Sequence, residues 1–428
     1  MSAERRNLCR RCLFCRFRRE KGGTMQKLLA ITVGVYLFFR IRRLLKFYGV
    51  KAERPAVAAC NLLAACWLGG LCLDLWTVGA MLVLHFAVLF ALADILALFV
   101  RQIWGRRKGA GRGRVYVFCA RLYRCGIVPV GAAAILFGYG FFNMGHVRQT
   151  ACRVTTDKNV GDFRVILLAD IHYGTIQHPD ILKDMIPRIN ALDPDLVVLA
   201  GDIVEEGTSG EDMREVFRLL GSMESRYGVY YVYGNHDRQP YAEKRTYTDG
   251  ELKQAIEDSG IHILRDGAVE IGEDLILAGR EDAMIARYLL GGIVPPGEIL
   301  GDADRDKFLL MVSHEPVGVE EVSEAGVDLL LCGHTHGGQL FPVGLLTELT
   351  GGLNYGTYQS GNCQVIVSSG VAGWGYPIRT QEHCEYVVVD ITSRGKAGQE
   401  GAGDKEEARE GMGAQELSGP GRNRKEKE

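Results

Sequence analysis

Residues 164–172 read Arg-Val-Ile-Leu-Leu-Ala-Asp-Ile-His, an apolar run that stops on a carboxylate and an imidazole two residues apart. A short run of branched side chains bounded by polar residues reads as a strand buried on both faces. The pattern recurs down the chain. Leu196–Ala200 runs into Gly201-Asp202, and Val229–Tyr233 into Gly234-Asn235-His236-Asp237. Phe308–Val312 is followed by His314, and Leu329–Leu331 by Gly333-His334-Thr335-His336. Further runs lie at Leu275–Ala278, Val365–Ser368 and Tyr386–Val389, with helical patterns at Pro179–Ala191 and Asp212–Ser225. Such alternation predicts an α/β domain, and the later strands without intervening helices predict mixed sheets. Five polar clusters therefore fall at the carboxyl ends of five strands, the edge where open α/β sheets build ligand sites.

The clustered residues are Asp170, His172, Asp202, Asn235, His314, His334 and His336. Carboxylate and imidazole together suit manganese, iron or zinc better than calcium. No cysteine joins the set, which argues against a closed structural zinc site. In an extended segment alternate side chains share a face, so Asp170 and His172 can reach one ion, as can His334 and His336. Asp202 has two oxygens and can bridge two ions, and Asn235 offers a neutral carbonyl oxygen. Two divalent ions can hold a shared hydroxide and clamp a phosphoryl oxygen. His236 is then placed to protonate the leaving oxygen, and Asp237 to orient its ring. An isolated Asp-x-His occurs often by chance, a lone buried histidine is usually a satisfied core residue, and Gly-Asp after a strand is usually a turn. The ordered set of five carries the specificity.

That set, with Gly201-Asp202-x-x-Glu205 in its second member, resembles the calcineurin-like metallophosphoesterase superfamily. The continuation Gly337-Gly338-Gln339 is similar to its membrane-associated branch of YkuE- and YaeI-like phosphoesterases and certain UDP-diacylglucosamine pyrophosphatases. The resemblance covers residues 160–392. It implies a four-layer α/β/β/α sandwich with metals at the sheet edges. It also implies that Asp170, His172, Asp202 and His336 hold a first ion and Asp202, Asn235, His314 and His334 a second, with manganese, iron, zinc or magnesium as the divalent metals. His236 becomes the proton donor or phosphate contact. Glu205 stands where the family pattern often has Asp, a position that tunes the ligands without being one.

The chain of 428 residues has 50 Lys+Arg against 52 Asp+Glu, a net −2 that singles out no partner. The charges are unevenly spread. Residues 1–24 form a basic leader with a Cys9, Cys12, Cys15 run that lacks a second ligand pair at zinc spacing. Residues 25–150 alternate apolar blocks with basic clusters, and residues 393–428 read as a disordered charged tail. Pro55–Leu73, Thr77–Val100 and Cys125–Phe142 approach the length a helix needs to span a bilayer, and Leu28–Phe39 is shorter, which predicts three or four spans. Basic residues flank these blocks, while Asp74–Trp76 has none. The positive-inside rule then sets residues after the last block outside the cytoplasm. Asp94 falls inside a span with no basic partner evident in sequence, and a structural role is expected of it. The basic loops lack interleaved base-stacking side chains and flank spans, so topology and anionic-lipid contact explain them better than a nucleic-acid surface.

The expected activity is hydrolysis of a phosphodiester or pyrophosphate, with a lipid- or nucleotide-linked substrate suited to an anchored site. A phosphoprotein phosphatase and a non-catalytic membrane scaffold are the alternatives. The loops Ile285–Leu300 and Phe341–Gly361 are irregular and disclose no pocket.

Overall fold

The computed structural model describes residues 23–75, 77–105, 114–176 and 179–394. The cysteine run of the leader, the basic residues Arg106, Arg107, Lys108 and Arg112, and the tail beyond Arg394 lie outside the described residues.

Among the described residues five helices come first: α1 (Thr24–Phe47), α2 (Pro55–Leu71), α3 (Val78–Gly105), α4 (Arg114–Cys125) and α5 (Ile127–Met144). Among the described residues two segments are long and apolar enough to cross a membrane, Val78–Gln102 at mean hydropathy 2.5 and Ile127–Met144 at 1.6; Pro55–Leu71 is apolar but shorter. The apolar block at Leu28–Phe39 is part of the longer α1, which continues through Arg40, Arg42 and Arg43. α1 and α2 approach closely because a Cβ at Gly69 would stand 2.6 Å from the Ala30 carbonyl oxygen.

Asp94 does have a basic partner, contrary to the sequence reading. Arg40 Nη1 donates to it at 2.9 Å, as does the Tyr36 hydroxyl at 2.9 Å, and the Tyr123 hydroxyl adds a third bond. The Arg40 guanidinium also lies over the Phe90 and Tyr123 rings. Arg40 comes from a different helix, 54 residues away, so only the packing of α1 against α3 brings the pair together.

Twelve strands follow among the described residues, in two six-stranded sheets. The first has the order β1 (Val147–Thr156), β12 (Cys384–Ser393), β2 (Asp162–Leu168), β3 (Leu196–Ala200), β4 (Val229–Val232), β5 (His262–Ile263). The second runs β10 (Gly356–Ser360), β11 (Cys363–Val367), β9 (Leu329–Cys332), β8 (Phe308–Val312), β7 (Leu275–Gly279), β6 (Gly267–Ile271). Both are mixed, as expected: β12 is antiparallel to β2 but parallel to β1.

The period-2 geometry of strands divides each apolar run between two cores. In β2, Val165 and Leu167 face Leu277, Leu310 and Leu331 of the opposite sheet. Ile166 and Leu168 face outward into a second core with α6 (Asp180–Asn190), α7 (Gly210–Leu220) and α8 (Asp249–Asp258). Leu309, Met311 and Leu330 face a third core with α9 (Pro296–Leu300) and α10 (Val319–Glu324). Three cores between helices, sheet, sheet and helices make a four-layer α/β/β/α sandwich.

The sheet starts earlier than residue 160. β1 pairs with β12 along ten residues, from Val147 opposite Cys384 to Thr156 opposite Ser393. Only Gly145 and His146 separate it from α5.

Candidate metal centre

β2, β3 and β4 of one sheet and β8 and β9 of the other end at a common edge, and each releases its polar cluster there. Asp170 and His172 leave β2, Asp202 leaves β3, Asn235 leaves β4, His314 follows β8, and His334 and His336 follow β9. The structure brings all seven together. Asp170, His172 and His336 have ligand atoms within 4.8 Å of one another, and so do Asp202, His314 and His334. Each trio draws on both sheets. Asn235 Oδ1 lies 3.2 Å from His314 Nε2 and 3.0 Å from His334 Nδ1, joining the second trio. Asp202 Oδ2 is 3.1 Å from His314 Nε2 and 3.9 Å from His172 Nε2, so it lies between the two trios.

The convergence is not achieved by extended backbone, as the Asp-x-His spacing had predicted. Asp170, His172, Asp202, His334 and His336 all have positive φ, from 45° to 74°, half of the ten such non-glycine residues among those described. Left-handed conformations cost energy in residues with a Cβ and concentrate at functional sites. Here main-chain bonds hold them: Asp170 N donates to Gly201 O, and His172 N to Asp202 O. The adjoining glycines are required by proximity. A Cβ on Gly234 would fall 2.2 Å from Asp202 Oδ1, and one on Gly333 2.6 Å from Asp170 Oδ2.

Two of the imidazoles are aimed by their other nitrogen. His314 Nδ1 faces the Ala200 carbonyl at 2.8 Å and His336 Nδ1 the Ala372 carbonyl at 3.0 Å, so each Nδ1 carries the proton and each Nε2 turns to the site. His172 is wholly buried and neither ring nitrogen makes a hydrogen bond, although Nδ1 stands 3.3 Å from Glu205 Oε2. A buried polar group without a partner is costly. A divalent cation would satisfy these donors, and neutral imidazole with carboxylate is the set such an ion takes. Burial, then the neighbouring His172, hold His336 well below the ordinary imidazole range. Burial pushes the Asp170 carboxyl up to about 6 against the pull of His314. Burial also disfavours the Asp202 carboxylate, but His314 and His236 outweigh it and keep that group well below the usual range.

Asp237 does not orient His236. Its oxygens accept the main-chain N–H groups of Asp202, Ile203, Val204 and Gly234, at 2.6 to 3.2 Å. With its capacity spent on backbone, it ties the β3 loop to the β4 loop. The residue on the His236 ring is Glu206, whose Oε2 lies 2.6 Å from Nδ1. Burial alone would discharge the imidazolium, but Glu206 and then Asp202 push its pKa up to about 10. Glu206 escaped the sequence reading because it follows Glu205 in a loop and belongs to no motif. Arg379 also gave no signal. Wholly buried, it donates to the carbonyls of His336, Ser369 and Ala372 and props the loops that carry His336.

A family model described as calcineurin-like phosphoesterase matches residues 163–338. An uncharacterized metallophosphoesterase of Helicobacter pylori is 28% identical over 63% of this chain and 71% of its own length. A transmembrane protein with metallophosphoesterase domain from Danio rerio is 27% identical over 61% of this chain and 62% of its own. The uncharacterized metallophosphoesterase YkuE of Bacillus subtilis is 26% identical over 63% of this chain and 94% of its own. The chain therefore carries a calcineurin-like metallophosphoesterase domain, and its relatives include YkuE and transmembrane proteins with that domain.

Proposed function

We propose that this protein hydrolyses a phosphodiester or pyrophosphate with two divalent metal ions, at the outer face of a membrane its helices cross several times. The observation that carries the proposal is the pair of ligand trios from opposite sheets with the Asp202 carboxylate between them. Asp170, His172, Asp202 and His336 hold one ion in this reading, and Asp202, Asn235, His314 and His334 the other. Ions so held supply Lewis acidity toward a phosphoryl oxygen and a water acidic enough to ionise near neutral pH.

The chain's own residues do the rest. His236, kept protonated by Glu206 at 2.6 Å, is the group that gives a proton to the departing oxygen. Its backbone N–H also donates to Asp202 Oδ1 at 2.8 Å, which fixes the spacing between donor and ligand. Asp237 keeps the β3 and β4 loops in register through their main chain. Trp374 and Tyr241, each with a ring centroid 5.3 Å from that of His236, wall the donor against water.

Full-length protein stripped of metal and reloaded with manganese should hydrolyse bis-(p-nitrophenyl) phosphate and bind about two ions per chain. A folded, manganese-loaded protein inert toward mono-, di- and pyrophosphate probes would refute the proposal.

A further inference from the structure

The loop after the His334–His336 cluster ends in a helix, α11 (Val343–Leu349), whose surface is strongly apolar. Phe341, Val343, Leu345, Leu346 and Leu349 are between 45% (Leu345) and 73% (Leu349) exposed. Isolated exposed apolar residues need no explanation, but five within nine positions form a patch. The helix is firmly seated beneath it. A Cβ on Gly344 would strike Gln381 Nε2 at 2.3 Å, and the Gly344 N–H donates to Gln381 Oε1 at 3.0 Å. The glycine faces the domain and the leucines face out.

The position of this patch identifies what covers it. The Phe341 N–H donates to Thr380 Oγ1 at 3.0 Å. A Cβ on Gly140 of α5 would meet Thr380 Cγ2 at 3.1 Å, and the Arg379 N–H donates to the Gly140 carbonyl at 3.0 Å. Gly140 stands four residues before the end of α5, about 6 Å inside it. Around Gly140, Phe141 and Phe142 of α5 are themselves more than half exposed. Apolar side chains of α11 thus continue the apolar surface of a helix long enough to cross a bilayer. The candidate metal centre is on the same side. His336 Nδ1 bonds the Ala372 carbonyl, and a Cβ on the next residue, Gly373, would strike Met144 Cε, the last residue of α5, at 2.4 Å.

We infer that Phe341–Leu349 dips into the bilayer leaflet from which α5 emerges. The occupant of the patch is lipid acyl chain, as for a short interfacial helix. The insertion sets the candidate metal centre at headgroup depth, where it takes phosphate carried by a lipid of that leaflet. This last clause rests on the hydrolase reading above; the insertion itself does not.

The test uses the full chain in phosphatidylcholine vesicles with and without brominated acyl chains. Leu346→Trp adds one tryptophan to the native four. The emission it adds should be lost when the acyl chains are brominated. Lys253→Trp on α8 is the control. It lies over the β5 edge, five strand spacings or about 24 Å from β1, and its added emission should persist. Equal persistence in both variants would overturn the insertion. A second arm compares Leu345→Asp/Leu349→Asp with the parent on two probes. Hydrolysis of a vesicle-borne diacylglycerol p-nitrophenyl phosphodiester should drop about tenfold, while soluble bis-(p-nitrophenyl) phosphate is cleaved at the parent rate. Equal rates on the lipid probe would overturn the presentation. A parent inert toward both probes would instead sink the hydrolase reading and leave the fluorescence result to decide the insertion.

Discussion

Glu206→Gln isolates the electrostatic device behind the proposed proton donor. The substitution keeps the shape and a hydrogen-bonding end while removing the charge 2.6 Å from His236 Nδ1. With Glu206 the imidazole is raised from 6.5 to about 10, so at pH 7.5 nearly every molecule has a charged ring. Without Glu206 the opposing effect of burial is less compensated, and a return to the ordinary 6.5 leaves roughly one tenth of the rings protonated at pH 7.5. An acid must be protonated to act, so activity requiring it is present below the pKa and lost as pH rises through it. For an alkyl leaving group, the rate at pH 7.5 should fall about tenfold and the descending limb should move from near pH 10 toward pH 6.5 or lower. For p-nitrophenolate, which departs without a proton, the loss should be much smaller. The assay is a pH–rate profile on both esters at saturating manganese, with metal content measured alongside. Superimposable profiles for parent and variant would refute the assignment of Glu206 and His236 as a donor pair.

Four further outcomes follow from the same geometry. Asp202→Ala should lower activity by several orders of magnitude and reduce bound metal, whereas His236→Ala should keep both ions and lose roughly 100- to 10,000-fold on a poor leaving group, as metal analysis and kinetics will show. A fragment of residues 146–394 should fold and bind metal alone, while one starting at residue 156 should lose stability because β12 surrenders its ten-residue pairing with β1; thermal melts compare the two. Asp94→Ala should destabilise the helical region by about 3–5 kcal/mol, since it leaves Arg40 buried without its carboxylate, and Asp94→Leu with Arg40→Met should recover most of that in a detergent melt. A reporter that works only after export, fused following Gly145, should be active, and one that works only in the cytoplasm should be silent.

Which parts of this architecture could be read from sequence depends on burial. Each of the eight strand runs that stood out has residues packed on both faces, so each appears as an uninterrupted apolar string. The strands that did not stand out lie at sheet margins. β1 is largely exposed and reads Val-Arg-Gln-Thr-Ala-Cys-Arg-Val-Thr-Thr, β5 has two residues, and β6 and β10 close the two ends of the second sheet. Their pairing is decided by partners distant in sequence. The candidate ligands were legible because a strand end places a ligand at a fixed edge, and five such ends coincide. The backbone shape was not legible: Asp170 and His172 converge through left-handed residues held by Gly201 and Asp202, which are contacts across strands. For the same reason Arg40 opposite Asp94 and Arg379 under His336 left no local trace.

The loop after β3 shows how residue type alone underdetermines role. Asp202, Glu205 and Glu206 fall within five residues, and each lies nearest a different histidine. Asp202 lies 3.1 Å from His314 Nε2, Glu205 3.3 Å from His172 Nδ1, and Glu206 2.6 Å from His236 Nδ1. One turn of chain thus distributes three negative charges over three imidazoles that come from β2, β4 and β8. These pairings require the loop to be held in place. The rigidity comes from Asp237, whose carboxylate takes the N–H groups of Asp202, Ile203 and Val204 at the start of the loop. Thr208 closes the far end: its hydroxyl donates to Tyr173 O and accepts from the Glu205 N–H. Asp237 therefore acts on His236 through the backbone, holding both the loop that carries Glu206 and, through the Gly234 N–H, the loop that carries His236 itself. Its replacement by Asn would exchange an acceptor oxygen for a donor against those N–H groups and loosen all three pairings together, whereas Glu206→Gln disturbs only one.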